Sequence, residues 1–534
     1  MRSQDGQEGT SGSRLTRRQL LQAGAAVGLG ATLGGGGFLG AACGKSSAIP
    51  SASGSAGALK PGGIMTLATD QLNPKDNLNP LTNSTDGVDA LEGMLREGLV
   101  TYDFTFTPQP RLAQSWESNT ELTEYTFHIR PNVTWHDGTP FTAKDAAWSI
   151  ERIMSPDGGS GMMDRLKWSI ANVVVVDDMT LKLKLNQPDS LLLLALSNQQ
   201  CYLTKANSTM ADFEKGIGTG PFKLKSWNPG QSYEVEKYTG YWEKGVPILD
   251  GVRGINILEA STKLQAVASG TSSVTQIAFD QLAVVKANPD LQIASNEKAQ
   301  SYSVVCDVTT KPWTDNRVLQ ALKLSQDREI VLNVAYAGQG FISPDAWVAT
   351  GDSFMTPELI AATKMDRAAA KKLMIEAGYP NGIDLELKYP GDPLHANFGL
   401  AFPAGLKGSM FRITPRQIPS SSYWDTVWMK DSFTVDDWNR RHPIEAMVLN
   451  VKSGAPWNDS KWNTPQMDAL LTKAYASTGA ELSAVTSEAC LLQAQNDGHI
   501  IPAYLNRLWC SKVSTRVVVS TFSMLDTRKC GFLA

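Results

Sequence analysis

The chain has 534 residues, more than one ordinary hydrophobic core holds, so two or three lobes are expected. Its 49 Lys and Arg against 53 Asp and Glu leave a formal net charge of −4, and the basic residues are dispersed. A nucleic-acid partner needs a basic stripe, and none stands outside the extreme N-terminus, so that class is set aside.

Residues 1–42 read as an export signal. Arg14, Arg17 and Arg18 form a basic start, Leu20 to Leu39 is an apolar, glycine-rich core, and Leu15-Thr16-Arg17-Arg18-Gln19-Leu20-Leu21 resembles a twin-arginine motif. So many glycines make a poor stable membrane span. Cys43 follows Leu39-Gly40-Ala41-Ala42, which resembles a lipoprotein processing box whose cysteine would be acylated and become the new N-terminus. The Ser/Ala/Gly/Pro stretch from Ser46 to Gly63 then reads as a flexible tether (43–60) between anchor and folded body. The expected location is the periplasm or the outer face of the cell membrane, with Cys43 as the lipidation site. Cys201, Cys306, Cys490, Cys510 and Cys530 remain. An odd number cannot all pair within one chain, so buried free thiols and one disulfide among the last three both stay open.

In chain order, Gly62 to Thr69 reads as a first strand and Val88 to Glu97 as a helix. Glu124 to Ile129 alternates apolar and exposed positions as a half-buried strand does, and His136-Asp137-Gly138-Thr139-Pro140 is a turn. Thr142 caps the following helix, with Asp145 three residues on. Asn172 to Val176 and Leu181 to Leu185 are strands joined at Asp177-Asp178-Met179, and Leu191 to Leu196 is a buried run. A strand begins at Phe222 and turns at Asn228-Pro229-Gly230. Leu249 to Leu258 is a strand and Ala260 to Ser269 a helix. A capped helix carries Val318, Leu322 and Gln326 on one stripe and runs on toward Ile330. Asp366 caps an alanine-rich helix that stops at Gly378, ahead of a strand from Ile383 to Tyr389, and Ile500 to Tyr504 forms a late strand.

Little in the chain suggests chemistry. Gly35-x-Gly37-x-x-Gly40 has no preceding strand and lies in the export signal, and Gly44-Lys45-Ser46 lacks the leading glycine of a P-loop. The five histidines show no metal-ligand spacing, and no Gly-x-Ser-x-Gly elbow is present. No metal, no cofactor and no enzymatic activity are expected.

Four ordered stretches resemble the signatures of the extracellular solute-binding proteins of family 5, the peptide, nickel and oligosaccharide receptors of bacterial ABC importers. The first is Arg111 to Ile150, RLAQSWESNTELTEYTFHIRPNVTWHDGTPFTAKDAAWSI. The second is Gly218-Thr219-Gly220-Pro221-Phe222 with Trp227-Asn228-Pro229-Gly230 and Tyr241-Trp242. The third runs from Lys311-Pro312-Trp313 through Gln326-Asp327-Arg328-Glu329-Ile330 to Gly338-Gln339-Gly340, and the fourth from Asp366 to Gly382. The resemblance implies an α/β, periplasmic-binding-protein-like, two-lobed receptor of class II type. Lobe I is expected at 61–104, 212–300 and 505–534, an extra small lobe inserted into it at 105–211, and lobe II at 301–504. It also implies a monomeric substrate-binding lipoprotein that captures a peptide or other small solute between the lobes. The solute would pass to the membrane subunits of an ABC permease, with the receptor held at the membrane by its lipid. The alternatives are a secreted hydrolase, or a sensory or chaperone-like lipoprotein on the same fold.

Ligand contacts are sought among the tryptophans Trp424, Trp428, Trp438, Trp457 and Trp462, because aromatic faces enclose ligands with little entropy lost. Trp424 and Trp428 are expected in the core. Asp436-Asp437-Trp438-Asn439-Arg440-Arg441-His442-Pro443 resembles the family segment in which an aspartate, three residues after the tryptophan, holds a peptide's α-ammonium. Arg441 stands at that position, which suits a carboxylate or phosphate rather than an ammonium. The candidate ligand-binding residues are Trp438, Arg441, His442, Trp457, Asn458, Tyr302 and Tyr504, the two tyrosines flanking the expected hinge.

Overall fold

A computed structural model describes residues 57–82, 85–156, 162–521 and 524–534. The export signal, Cys43 and most of the tether lie outside the described residues. The fold is built on a mixed sheet of twelve strands among the described residues. From one edge it runs Phe411–Ile418, Ile383–Pro390, Phe433–Asn439, Leu291–Cys306, Ala503–Lys512, Val274–Ile277, Ile64–Thr69, Gly251–Asn256, Ser232–Lys237 and Phe222–Asn228, with Gly340–Ile342 and His499–Ile500 pairing off this path on Ala503–Lys512 and Leu291–Cys306. Helices such as Ala260–Ser269 link the parallel neighbours Ile64–Thr69, Gly251–Asn256 and Val274–Ile277.

Two strands carry the sheet from one lobe to the other. The first half of Leu291–Cys306 pairs with Arg507 to Lys512, and its second half pairs with Phe433–Asn439. The expected boundaries at 300/301 and 504/505 fall inside these two strands. Between the halves the register slips: Asn296 faces Arg507, Gln300 faces Leu505, and three residues oppose one. Such a bulge bends the strand and needs an unusual backbone. Lys298 supplies it at φ +54°, and its N–H donates to the Asn506 side chain at 3.0 Å.

The inserted segment has its own four-stranded sheet, Ala113–Ser118, Glu124–Ile129, Thr180–Leu185 and Ile170–Asp177. Tyr125, Phe127 and Ile129 turn inward as the alternation predicts, onto Trp135, Phe141, Ile150 and Leu183. The helix Ala143–Met154 starts as expected: the Thr142 N–H and hydroxyl both donate to Asp145 Oδ2, at 2.9 and 3.2 Å. The turn histidine joins this unit to lobe I. His136 Nδ1 accepts the Gly218 N–H at 3.1 Å, and Nε2 donates to the Gly220 carbonyl at 3.0 Å, while burial pushes its pKa down to about 4. Gly218 has no alternative, because a Cβ there would lie 1.8 Å from the Leu95 carbonyl oxygen.

Three sequence expectations are corrected. The helix expected to run on toward Ile330 is two helices, Asn316–Ser325 and Arg328–Tyr336, broken at Gln326. Asp327 caps the second by accepting the Ile330 N–H, and the break lets Arg328 pair with buried Asp345. The strand expected from Ile500 to Tyr504 is split at Pro502, and its second part extends from Ala503 to Lys512. Trp424 is not core but 38% exposed. Its neighbour Tyr423 takes the inward position and donates its hydroxyl to the Val435 carbonyl at 2.7 Å. Trp428 is half-buried. The five cysteines among the described residues, Cys201, Cys306, Cys490, Cys510 and Cys530, are free thiols in buried positions.

The inserted unit also meets lobe II directly. Arg165 lies 2.9 Å from Asp189 within the insert and 2.9 Å from Glu445 on the lobe II helix Pro443–Asn450, with Tyr475 donating to the same Glu445 at 3.1 Å. Burial works against the charge on Arg165, but the two carboxylates outweigh it and hold its pKa well above the ordinary value. Arg165→Met leaves Asp189 buried without its counter-ion and should cost about 3–5 kcal/mol. Denaturant unfolding measures it, and a loss below about 1 kcal/mol contradicts this account of the joint.

Candidate functional site

The hinge strands, the inserted unit and lobe II converge on one cleft. From the lobe I side comes the hairpin Val100–Tyr102 and Pro108–Pro110. Asp103 Oδ1 accepts the N–H groups of Thr105 and Thr107 at 2.9 and 3.1 Å, winding the tip so that Phe106 sits at φ +62°. Phe106 projects toward lobe II, with its ring centre 5.6 Å from that of His442 and 5.2 Å from the Arg440 guanidinium. From the hinge comes Lys298, whose Nζ is 2.7 Å from Asp352 Oδ1. From lobe II comes Arg440, whose Nη2 is 2.8 Å from the same oxygen. One carboxylate is thus shared by two cations.

These segments enclose a cavity of about 480 Å3 lined by Phe104, Phe106, Lys298, Asp352, Phe354 and Arg440. Beyond Phe106 lies a smaller cavity of about 50 Å3, lined by Tyr102, Arg165, Arg441, His442 and Glu445. The first is the size of a small-molecule site, with three phenylalanines among polar and charged residues that also include Thr105, Ser295, Glu297 and Ser353.

Arg441 differs from the other cations here. Among the described residues it makes no ion pair; its Nη1 donates one long bond, 3.3 Å, to the Asn439 carbonyl, and its guanidinium lies 5.8 Å from the Trp438 ring centre. Burial lowers its pKa, opposed by the Tyr102 hydroxyl and the Glu445 carboxylate. Burial pushes the neighbouring His442 down to about 3. His442 therefore stays neutral at physiological pH and serves as a helix cap, accepting the Ile444 N–H at 3.3 Å.

A model of the bacterial extracellular solute-binding proteins, family 5 Middle, matches residues 107–439. The chain belongs to this family. The glutathione-binding protein GsiB of Salmonella typhimurium (strain LT2) is 28% identical over 303 residues, which cover 54% of this chain and 57% of the relative. GsiB of Pectobacterium atrosepticum is 28% identical over 296 residues with the same coverage. The chain thus spans about half the length of the curated relatives it matches. The fold is shared with AgaA from A.tumefacien R10 in complex with agropinic acid (TM-score 0.75, 21% identity, 88% of this chain and 99% of that one). It is shared also with CtaP from Listeria monocytogenes (TM-score 0.77, 17% identity, 89% and 100%).

The structure places the sequence candidates unevenly around the cleft. Arg441 and His442 line the smaller cavity. Trp438 is buried behind them, donating Nε1 to Asp436 at 2.6 Å, with its ring centre 5.6 Å from Trp347 and 5.8 Å from half-buried Trp457. Asn458 staples its own loop through the Trp462 carbonyl at 2.9 Å. Tyr504 is buried on its strand opposite Ser301 and Phe341. Tyr302 packs inside lobe II, edge-on to His395 at 4.7 Å. Phe104, Phe106, Lys298 and Asp352 line the cavity without having been read from the sequence. Only Arg440 had a signal, adjacency to Arg441.

His395 anchors the floor beneath Tyr302. Burial works against its charge, but Asp392 at 2.8 Å and Asp437 at 3.1 Å outweigh it and raise its pKa to about 9. His395→Gln should therefore remove stability on the order of 3 kcal/mol. Because the folded pKa lies above the ordinary value of 6.5, the gap from wild type is complete below that pH and closes as pH rises through about 9. Unfolding at a series of pH values measures it, and a gap independent of pH contradicts the charged assignment.

Proposed function

We propose that the protein is the substrate-binding lipoprotein of an ABC importer, closing its lobes over one small solute and presenting it to the membrane permease without chemistry. The observation that carries this reading is the cleft cavity, walled by residues from the hairpin carrying Phe104 and Phe106, the hinge bulge and lobe II. A site divided among separately held segments is completed when they come together, so solute affinity and closure become one equilibrium.

Arg441 supports an acidic solute. Lys298 and Arg440 already share the Asp352 carboxylate, whereas Arg441 has a guanidinium fork and no ion pair among the described residues. A carboxylate or phosphate on the solute would supply it, and Phe104, Phe106 and Phe354 would cover the apolar part. Short peptides and their conjugates are the class to try first, since the GsiB relatives are named glutathione-binding. Arg441→Ala should weaken the cognate solute at least about tenfold by isothermal calorimetry, while Arg441→Lys keeps part of the affinity. An unchanged dissociation constant in Arg441→Ala rules out the acidic-group reading.

Acylation at Cys43 would tether the receptor beside its permease, with the stretch behind it as the leash. Cys43→Ser should move the protein from the membrane fraction to the soluble exported fraction. Persistence of the variant at the membrane contradicts the anchor.

A further inference from the structure

We propose that Asp436, Asp459 and His499 form a buried site in lobe II for one divalent transition-metal ion of the zinc class. The ligand atoms of these three residues all lie within 4.8 Å of one another, and all three residues are buried. His499 Nε2 is 3.0 Å from Asp459 Oδ1 and 4.0 Å from Asp436 Oδ2. Zinc bonds of about 2.0–2.2 Å in a tetrahedron hold ligand atoms about 3.4 Å apart, between these two separations.

The imidazole is posed for a metal. His499 Nε2 is fully buried and has no aligned hydrogen bond in spite of its short approach to Asp459. The other ring nitrogen, Nδ1, is engaged by Asp497 at 2.7 Å, and Asp497 is itself held by Ser460 Oγ at 2.7 Å and Gln493 Nε2 at 2.9 Å. A carboxylate behind one nitrogen, fixing the ring so that the other faces inward, is the arrangement that supports metal-bound histidines.

Both carboxylates are oriented in the same manner. Asp436 accepts the Trp438 indole N–H at 2.6 Å and the Ser303 hydroxyl. Asp459 accepts the Trp428 indole N–H at 3.1 Å and the Ser460 N–H at 3.0 Å. In the metal-free protein the cation beside these carboxylates is the His499 imidazolium, 3.0 Å from Asp459 and 2.7 Å from Asp497, and a zinc ion would take the place of its Nε2 proton. One imidazole nitrogen with two carboxylate oxygens suits zinc better than magnesium or calcium, which take oxygen ligands in larger numbers. The absence of metal-ligand spacing in the sequence is no obstacle, because these residues are far apart in the chain and meet only in the fold.

The site stands on lobe II geometry alone, independent of the solute reading. Protein purified without a polyhistidine tag and stripped with EDTA is titrated with zinc and with cobalt. The expected result is one zinc per chain by elemental mass spectrometry, a raised melting temperature, and the visible absorption of four-coordinate cobalt. Asp436→Asn and Asp459→Asn should lower zinc affinity at least about 10–100-fold. The exposed His128→Gln should leave it unchanged. Zinc binding equal in wild type and both Asn variants overturns the proposal. If the Asn variants do not fold, wild type decides alone: the absence of both a cobalt band and stabilisation by zinc overturns the proposal.

Discussion

The pairing of Leu291–Cys306 with Ala503–Lys512 is the constraint on which the rest of the structure depends. These are the strands through which the central sheet passes from one lobe to the other, and the ladder is interrupted at one place. There Lys298 adopts a left-handed backbone and borrows the Asn506 side chain as acceptor. The bulge does more than bend the sheet. It aims Lys298 Nζ at Asp352 and leaves the Ala299 carbonyl free to accept the Arg440 N–H at 3.0 Å, so the hinge positions both cations of the larger cavity.

Apolar cores lie on either side of the hinge and beneath it. Met65, Val88, Phe222 and Val252 form one core, and Trp347, Met447, Met467 and Ala489 form another under the lobe II helices. A further core, from Val267 and Ile277 to Val304 and Phe398, runs beneath the hinge strands themselves. The inserted unit has its own core and meets its neighbours both through polar joints, His136 on Gly218 and Gly220 and Arg165 on Glu445, and through apolar contacts such as Leu191 and Trp168 against the core around Trp347 and Tyr475.

What was legible in the sequence followed from locality. Glu124–Ile129, Ala260–Ser269 and the Thr142 cap were readable because their signals lie within a few residues, and the ordered signatures pointed to the family. The break at Gln326 was not, since apolar stripe positions continue across it and only the tertiary pairing of Arg328 with Asp345 explains it. Trp424 was misassigned because composition says nothing about which of two adjacent aromatics faces inward. At the site, Arg441 was found through a departure from the family segment. Phe106 and Lys298 were missed because a positive φ in a hairpin tip or a strand bulge has no residue-type signature unless glycine fills it.

The cleft, the hinge and Arg441 together make one central claim, that an acidic solute is held between the lobes. A crystal structure of the protein with its co-purified or titrated solute tests this most directly. The account predicts solute in the space walled by Phe106, Lys298 and Arg440, extending past Phe106 into the smaller cavity so that an acidic group lies within hydrogen-bonding distance, about 3 Å, of the Arg441 guanidinium. Solute bound outside that space, or a neutral or cationic group facing Arg441, contradicts it.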